Sequence, residues 1–356
     1  MIIFEYLADL FGAIPAAFIS GILPIAFVVP YALFAVYWER KVSAHMQDRL
    51  GPMRTGWHGY LQTIADILKL IQKEDIVATA VDKPLFNLAP ILVFAGSYAA
   101  FAAIPFSSAY IGANVDLGML YIIAVSGLVV AGILMAGWAS NNKYSLIGAV
   151  RSAAQIVSYE IPTVIVILTL FSIVGTLNLY ELSEIQSSNI FNWMIFGGNV
   201  IGWKKIVLIP LMFAAFIIIY LTTLAEVNRT PFDIPEAESE LVAGYHTEYS
   251  GMKFAMFFLA EYANMFAVSA IVATLFLGGY HSPFGYLGNL LGISWLVPVE
   301  QFFWFTFKGL GFVTVQMWLR WTLPRLRVDQ LMTVCWKYLI PLSFVIFLLV
   351  SLLMVL

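Results

Sequence analysis

The sequence predicts an all-α polytopic membrane protein. The expectation is eight transmembrane helices, a cytoplasm-side amphipathic interfacial helix and a short loop helix, in a single integral membrane domain over residues 1–356. Three observations carry it. Hydrophobic residues make up 61% of the chain and charged residues 11%, against about 25% charged in a soluble domain, and mean hydropathy is +0.89. Apolar segments of roughly 18–25 residues, enough to cross about 30 Å of hydrocarbon, fall near 14–38, 85–106, 118–138, 156–177, 205–225, 254–277, 298–319 and 337–356. The connectors between them alternate in basic charge.

The first apolar segment is preceded by Glu5 and Asp9 rather than by a basic n-region, which predicts a retained span and not a cleaved signal peptide. Connector 39–84 holds Arg40, Lys41, Arg49, Arg54, Lys69, Lys73 and Lys83. Connectors 139–155, 226–253 and 320–336 add Lys143, Arg151, Arg229, Lys253, Arg320, Arg325 and Arg327, while 107–117 and 278–297 hold no Lys or Arg. The positive-inside rule puts the basic connectors in the cytoplasm and both termini on the outer, periplasmic side. Lys204 and Lys205 are the exception, at the outer end of the fifth span, where their stems can snorkel. The net charge of −3 decides little beside this distribution.

Within connector 39–84, Trp57, Tyr60, Leu61, Ile64, Leu68 and Ile71 recur at helical spacing, opposite a polar stripe of Gln62, Asp66, Lys69 and Lys73. That pattern predicts a helix lying in the membrane interface; docking on a soluble partner would bury the same face.

Residues 226–251 gather six carboxylates of the 21 acids in the chain: Glu226, Asp233, Glu236, Glu238, Glu240 and Glu248. Flanked by apolar spans, such a cluster is either a solvated connector or a site where acids shift one another's pKa values and move protons. Glu226 and Glu261 extend it into the neighbouring helices, which favours the second reading. Asp233-Ile-Pro-Glu236 fits a capping box opening a short helix that stops at Gly244.

Charges inside spans cost on the order of 3 kcal/mol at the bilayer centre, so Glu160, Glu261 and Lys308 are candidates for function. Glu160 is expected about one turn from the cytoplasmic end of its span, and Glu261 about two turns in. Lys308, mid-span, fits an interhelical salt bridge as well as a transport role. Glu160, Glu226, Glu261, Glu39 and Asp66 with the loop acids outline a polar funnel reaching towards the bilayer middle from the cytoplasm, a half-channel rather than a complete path. Pro30, Pro90, Pro162 and Pro210 interrupt spans and can open room for water or an apolar ligand.

Other chemistries are excluded. One cysteine, Cys335, provides no disulfide, multi-cysteine zinc site or cysteine-held cluster from this chain alone. His45, His58, His246 and His281 lack metal-ligand spacing, and Gly309-Leu-Gly311 lacks the third glycine and setting of a nucleotide loop. The basic residues of connector 39–84 suit anionic lipid as well as a protein partner.

The stretch Glu226-Val-Asn-Arg-Thr-Pro-Phe-Asp, continued by Glu-Ala-Glu-Ser-Glu-Leu-Val-Ala-Gly-Tyr-His-Thr-Glu-Tyr, closely resembles the signature of one family. It is the quinone-site membrane subunit of respiratory complex I, the proton-pumping NADH:quinone oxidoreductase of bacteria and mitochondria. Glu39-Arg-Lys with Arg49-Leu-Gly-Pro, Phe258-Leu-Ala-Glu-Tyr262, and Arg320 with Pro324-Arg-Leu-Arg-Val-Asp-Gln330 and Trp336-Lys337 are similar to further family segments, in the same order. The chain departs at Met53, where many members have asparagine after Gly-Pro.

The resemblance implies that the chain forms the membrane portion of a tunnel by which quinone, the substrate, enters from the bilayer. Arg40, Asp66, Phe232 and Arg320 match family positions near that tunnel. Glu39, Glu160, Glu226, Glu236, Glu238, Glu240, Glu248 and Glu261 match an acid chain coupling quinone chemistry to antiporter-like subunits. The chain itself would bind no cofactor or metal and carry no catalytic residue alone. Iron–sulfur clusters and FMN would sit in partners: the terminal iron–sulfur subunit and its large neighbour in the peripheral arm, with small membrane and antiporter-like subunits beside it. The implied location is the bacterial inner membrane, in contact with lipid and not nucleic acid. The rival is a homologous membrane subunit of a ferredoxin-linked or membrane-bound hydrogenase complex. A secondary transporter predicts inverted repeats, which are not visible, and a purely structural anchor gives no reason for Glu261.

Overall fold

Long apolar helices dominate the chain, because in lipid every backbone amide and carbonyl needs a partner within its own segment. A computed structural model describes residues 6, 8–10, 12–235 and 238–356, without the side chains of residues 17, 238 and 239. The elements are α1 (Ala13–Met46), α2 (Gln62–Gln72), α3 (Lys83–Ala99), α4 (Gly118–Ala139), α5 (Lys143–Val174), α6 (Leu179–Gln186) and α7 (Trp203–Glu226). They continue with α8 (Glu238–Leu241), α9 (Gly251–Phe276), α10 (Leu287–Leu291), α11 (Leu296–Thr322), α12 (Val328–Thr333) and α13 (Ile340–Val355). The π-helical stretch Val334–Leu339 joins the last two into one rod. No strand occurs among the described residues.

The fold is an all-α polytopic membrane protein. Among the described residues seven helices are long and apolar enough to span: α1, α3 with its extension to Ala102, α4, α5, α7, α9 and Val328–Val355. The count of eight is therefore not reached on composition. Segment 298–319 lies in α11, which at 27 residues is about 40 Å long. Glu300, Gln301, Lys308, Gln316 and Arg320 make it more polar than the other seven.

Two further differences from expectation have a physical reason. Helix α5 starts at Lys143, capped by Asn142 Oδ1 accepting from Tyr144 N at 2.9 Å. It therefore begins well before the apolar segment at 156, and Glu160 sits deep within it rather than near an end. The added turns bury small and polar residues, Ser145, Gly148, Ala149, Ser152 and Gln155, which a hydropathy window cannot register. Gly148 makes this possible: a Cβ there would lie 2.9 Å from Gly244 Cα. In the acidic loop the helix is the short α8, followed by a 3-10 turn Gly244–His246; the capping partner Glu236 lies outside the described residues.

Helix α2 keeps its predicted amphipathic character. Leu61, Ile64, Leu68 and Ile71 are exposed on the isolated chain, and Thr63 faces inward. Helix α9 is central: 67% of its most apolar stretch is buried, against 28% for the last span. That places Glu261 and Tyr262 inside the bundle rather than against lipid.

Candidate functional site

The geometry of the acidic loop starts with Gln155. From α5 its Nε2 reaches Ala225 O and Phe232 O at 2.8 Å and Asn228 Oδ1 at 3.0 Å. Asn228 Nδ2 in turn donates to Ser152 Oγ at 3.2 Å. Asn228 holds φ +55, a left-handed turn that asparagine tolerates better than most residues. The chain thus leaves α7 in a tight turn that points the next side chain, Arg229, into the protein.

There Arg229 meets acids from two helices. Its Nη1 lies 3.3 Å from Glu39 Oε1 and its Nε 2.9 Å from Glu261 Oε1, with Arg229 and Glu39 side chains 3% and 7% exposed. The Tyr262 hydroxyl donates to Glu39 Oε2 at 2.6 Å, and the Arg229 guanidinium lies 4.7 Å from the centre of the Tyr262 ring. Burial disfavours a charged guanidinium, yet the carboxylates of Glu261 and Glu39 outweigh it and raise the Arg229 pKa well above its usual value. Arg320 Nη1 also donates to Glu39 Oε1. Outside this cluster, Arg40 pairs with Asp66 at 2.6 Å, and Asp66 Oδ1 accepts from Gln62 Nε2 at 3.2 Å.

An apolar groove of about 240 Å³ runs between α1 and α11, lined by Phe34, Trp38, Phe307, Leu310, Val313 and Met317 among others. Trp38 immediately precedes Glu39, and Met317 is one turn before Arg320. One end of the groove therefore abuts the charged cluster.

On the other side of Arg229 the acids border small cavities. A space of about 20 Å³ is bordered by Glu261, Glu226 and Asn264. One of about 70 Å³ is bordered by Glu226, Asn264 and Ser126, and one of about 40 Å³ by Glu226, Thr163, Ser126 and Glu160. Each has room for one or a few waters. Glu226 accepts from Thr163 Oγ1 at 3.1 Å, and Glu160 from Ser126 Oγ at 3.2 Å.

The expected residues thus divide. Arg40 and Asp66 meet each other, and Glu39, Arg320 and Glu261 meet around Arg229; Glu261, Glu226 and Glu160 border successive cavities. Phe232 is set apart from both groups, packed edge-on against Tyr159 in the core. Glu240 pairs with Arg151 at 2.7 Å on an exposed face, and Glu248 accepts from Asn142 Nδ2 at 2.7 Å. Glu236 and the Glu238 side chain lie outside the described residues. Sequence reasoning missed Arg229, Tyr262, Asn264, Ser126 and Thr163. Arg229 left a signal, as the one Lys or Arg embedded in the acid-rich stretch, and Tyr262 closes the family-like segment Phe258–Tyr262.

Lys308 makes a different contact from the interhelical salt bridge considered for it. Its Nζ donates to the carbonyls of Leu277, Gly279 and His281 at 2.6, 3.0 and 2.7 Å. These satisfy all three ammonium donors and cap the C-terminal end of α9. Among the described residues no group of three His, Cys, Asp or Glu is placed to hold a metal ion.

A family model described as NADH dehydrogenase matches residues 19–351. The chain is similar to the H subunit of the NADH-quinone oxidoreductase of Chlorobium luteolum, with 55% identity over 337 residues covering 94% of this chain and 88% of the relative. The protein of the same name from Chlorobaculum tepidum is 53% identical, covering 94% and 91%. The one from Brevibacillus brevis is 45% identical, covering 91% and 89%.

Proposed function

The chain belongs to the NADH dehydrogenase family, and we propose that it is the quinone-site membrane subunit of a proton-translocating NADH:quinone oxidoreductase. It carries no redox centre itself. It guides quinone from the bilayer and links quinone reduction to proton movement through buried acids. The observation that carries this reading is the contiguity of an apolar groove, a buried cluster of Glu39, Arg229, Arg320 and Glu261, and a string of cavities leading to Glu226 and Glu160.

Each part suits one demand of the chemistry. An isoprenoid tail needs an apolar path, which the groove beside α1 offers. Quinone reduction takes up two protons and builds negative charge on the way, which Arg40 and Arg320 can stabilise. Proton movement needs acids joined by hydrogen-bonding groups or water, and Thr163, Ser126 and Asn264 supply these around Glu226. Glu240 and Glu248 carry the acid set towards the cytoplasmic surface; Glu236 and Glu238 belong to it by the signature alone. Asp66 holds Arg40 at the mouth. Phe232 acts by shaping the loop rather than by touching quinone.

The partners on this reading are the terminal iron–sulfur subunit and its large neighbour, small membrane subunits and antiporter-like subunits, with FMN and the clusters held by partners. The setting is a bacterial inner membrane, with α11 as the eighth span and both termini on the periplasmic side. The relatives' shared name supports a quinone acceptor over a ferredoxin-linked or hydrogenase complex.

The test is a complex purified through a tag on this chain and irradiated with a photoreactive short-chain quinone. Adducts on α1 or α11 near Trp38 and Met317, in a preparation containing flavin and iron–sulfur subunits, are expected. Adducts confined to other subunits, or a preparation without a flavin subunit, would contradict the assignment.

A further inference from the structure

We propose that Arg229 and Tyr262 form the junction at which charge arriving from the quinone end is handed to the acidic relay. The inference rests on the functional reading above and goes beyond it by naming the connecting group. One guanidinium serves two acids with different surroundings. Glu39 is shared between Arg229 and Arg320 beside the apolar groove, whereas Glu261 borders the cavity that leads to Glu226. Tyr262 holds both halves, its hydroxyl on Glu39 at 2.6 Å and its ring face under the guanidinium at 4.7 Å.

The contacts leave the guanidinium able to shift. Among the described residues Nη2 is buried without a hydrogen-bond acceptor, and Nε faces Glu261 as a charge pairing rather than an aligned hydrogen bond. With Arg229 3% exposed, salt and water screen these attractions little. The cation's position therefore follows the balance of charge between its two acids. Negative charge developing on a quinone near the groove draws Arg320 towards it. Glu39 then relies more on Arg229, and Glu261 loses part of its compensation. Its carboxylate accepts a proton from cytoplasmic water and becomes the neutral acid, one transfer away from Glu226 through the shared cavity. A lysine cannot reproduce this, because its ammonium is a compact point charge that cannot span both acids as a planar fork does. A static buried ion pair, the common alternative, affects assembly and nothing else.

The experiment uses the whole complex reconstituted in vesicles, comparing wild type with Arg229→Lys, Tyr262→Phe and Glu226→Gln. Quinone reduction, protons translocated per quinone and NADH oxidation by an artificial acceptor are read together. The first two variants are expected to lower the proton-per-quinone ratio by about twofold or more, with KM for quinone and artificial-acceptor activity unchanged. Tyr262→Phe keeps the ring and loses only the hydroxyl, so it decides the matter if Arg229→Lys does not assemble. A wild-type ratio in the assembled variants, with a lowered ratio in Glu226→Gln, overturns the junction and leaves the functional reading standing. A wild-type ratio in Glu226→Gln as well overturns both.

Discussion

Glu226 and Glu160, on facing helices α7 and α5, border one cavity of about 40 Å³. Thr163 stands at its wall, donating to Glu226 Oε1 at 3.1 Å and lying 2.7 Å from Thr222 Oγ1. A hydroxyl on a carboxylate contributes about 2 kcal/mol to holding it in place. Thr163→Val, which keeps shape and loses the donor, is expected to assemble normally and lower proton translocation. Thr163→Ser is expected to behave as wild type. Vesicle pumping assays on the two variants compare them, and equal coupling in both would remove Thr163 from the relay.

Lys308 fastens α11 to the loop after α9 through three carbonyls. Lys308→Met leaves those acceptors buried without partners, at a cost of about 3 kcal/mol. The expected result is a lower melting temperature and poorer incorporation of the subunit, read by thermal scanning and native electrophoresis. Wild-type stability would mean that water replaces the ammonium at no cost.

Much of the architecture was legible because hydropathy measures what the bilayer selects. The amphipathic stripe of α2 and the spans of α3, α4 and α7 follow from apolar spacing alone. The long α5 did not, because Ser145, Gly148, Ser152 and Gln155 are buried against a polar loop and not against lipid. Arg229 stood out as the one basic residue of the acid-rich stretch, but its inward direction was hidden, since the turn at Asn228 that inverts it depends on Gln155, which is distant in sequence. Thr163 carries no sequence mark that distinguishes a site from packing, and Tyr262 is marked only by lying in a family-like segment. Lys308 suggested a carboxylate partner, but its partners are backbone atoms, which no residue pattern encodes.

His281 gives the fold a pH dependence on the side opposite the acidic loop. Burial lowers its pKa from the usual 6.5; Glu184 opposes the shift, and the Lys308 charge adds to it. The folded protein thus holds fewer protons there than the unfolded chain. Stability is fully present above about pH 6.5 and is lost as pH falls through the depressed value. Melting temperature measured from pH 8 down to about 5 should decline, and His281→Gln should flatten that decline. An unchanged slope in the variant would assign the loss to other groups.

Arg151 and Glu240 pair at 2.7 Å, but the Glu240 side chain is 59% exposed. A pair so solvated contributes about 0–1 kcal/mol. Arg151→Ala is therefore expected to leave the melting temperature nearly unchanged. A drop of several degrees would show that the pair locks the acidic loop onto α5.

Proton translocation and quinone reduction measured in the same vesicles for Glu226→Gln put the relay at risk at its central carboxylate, where the cavities from Glu261 and Glu160 meet. The expected outcome is depressed pumping, with NADH oxidation by an artificial acceptor intact. Full pumping at full quinone-linked turnover would contradict it.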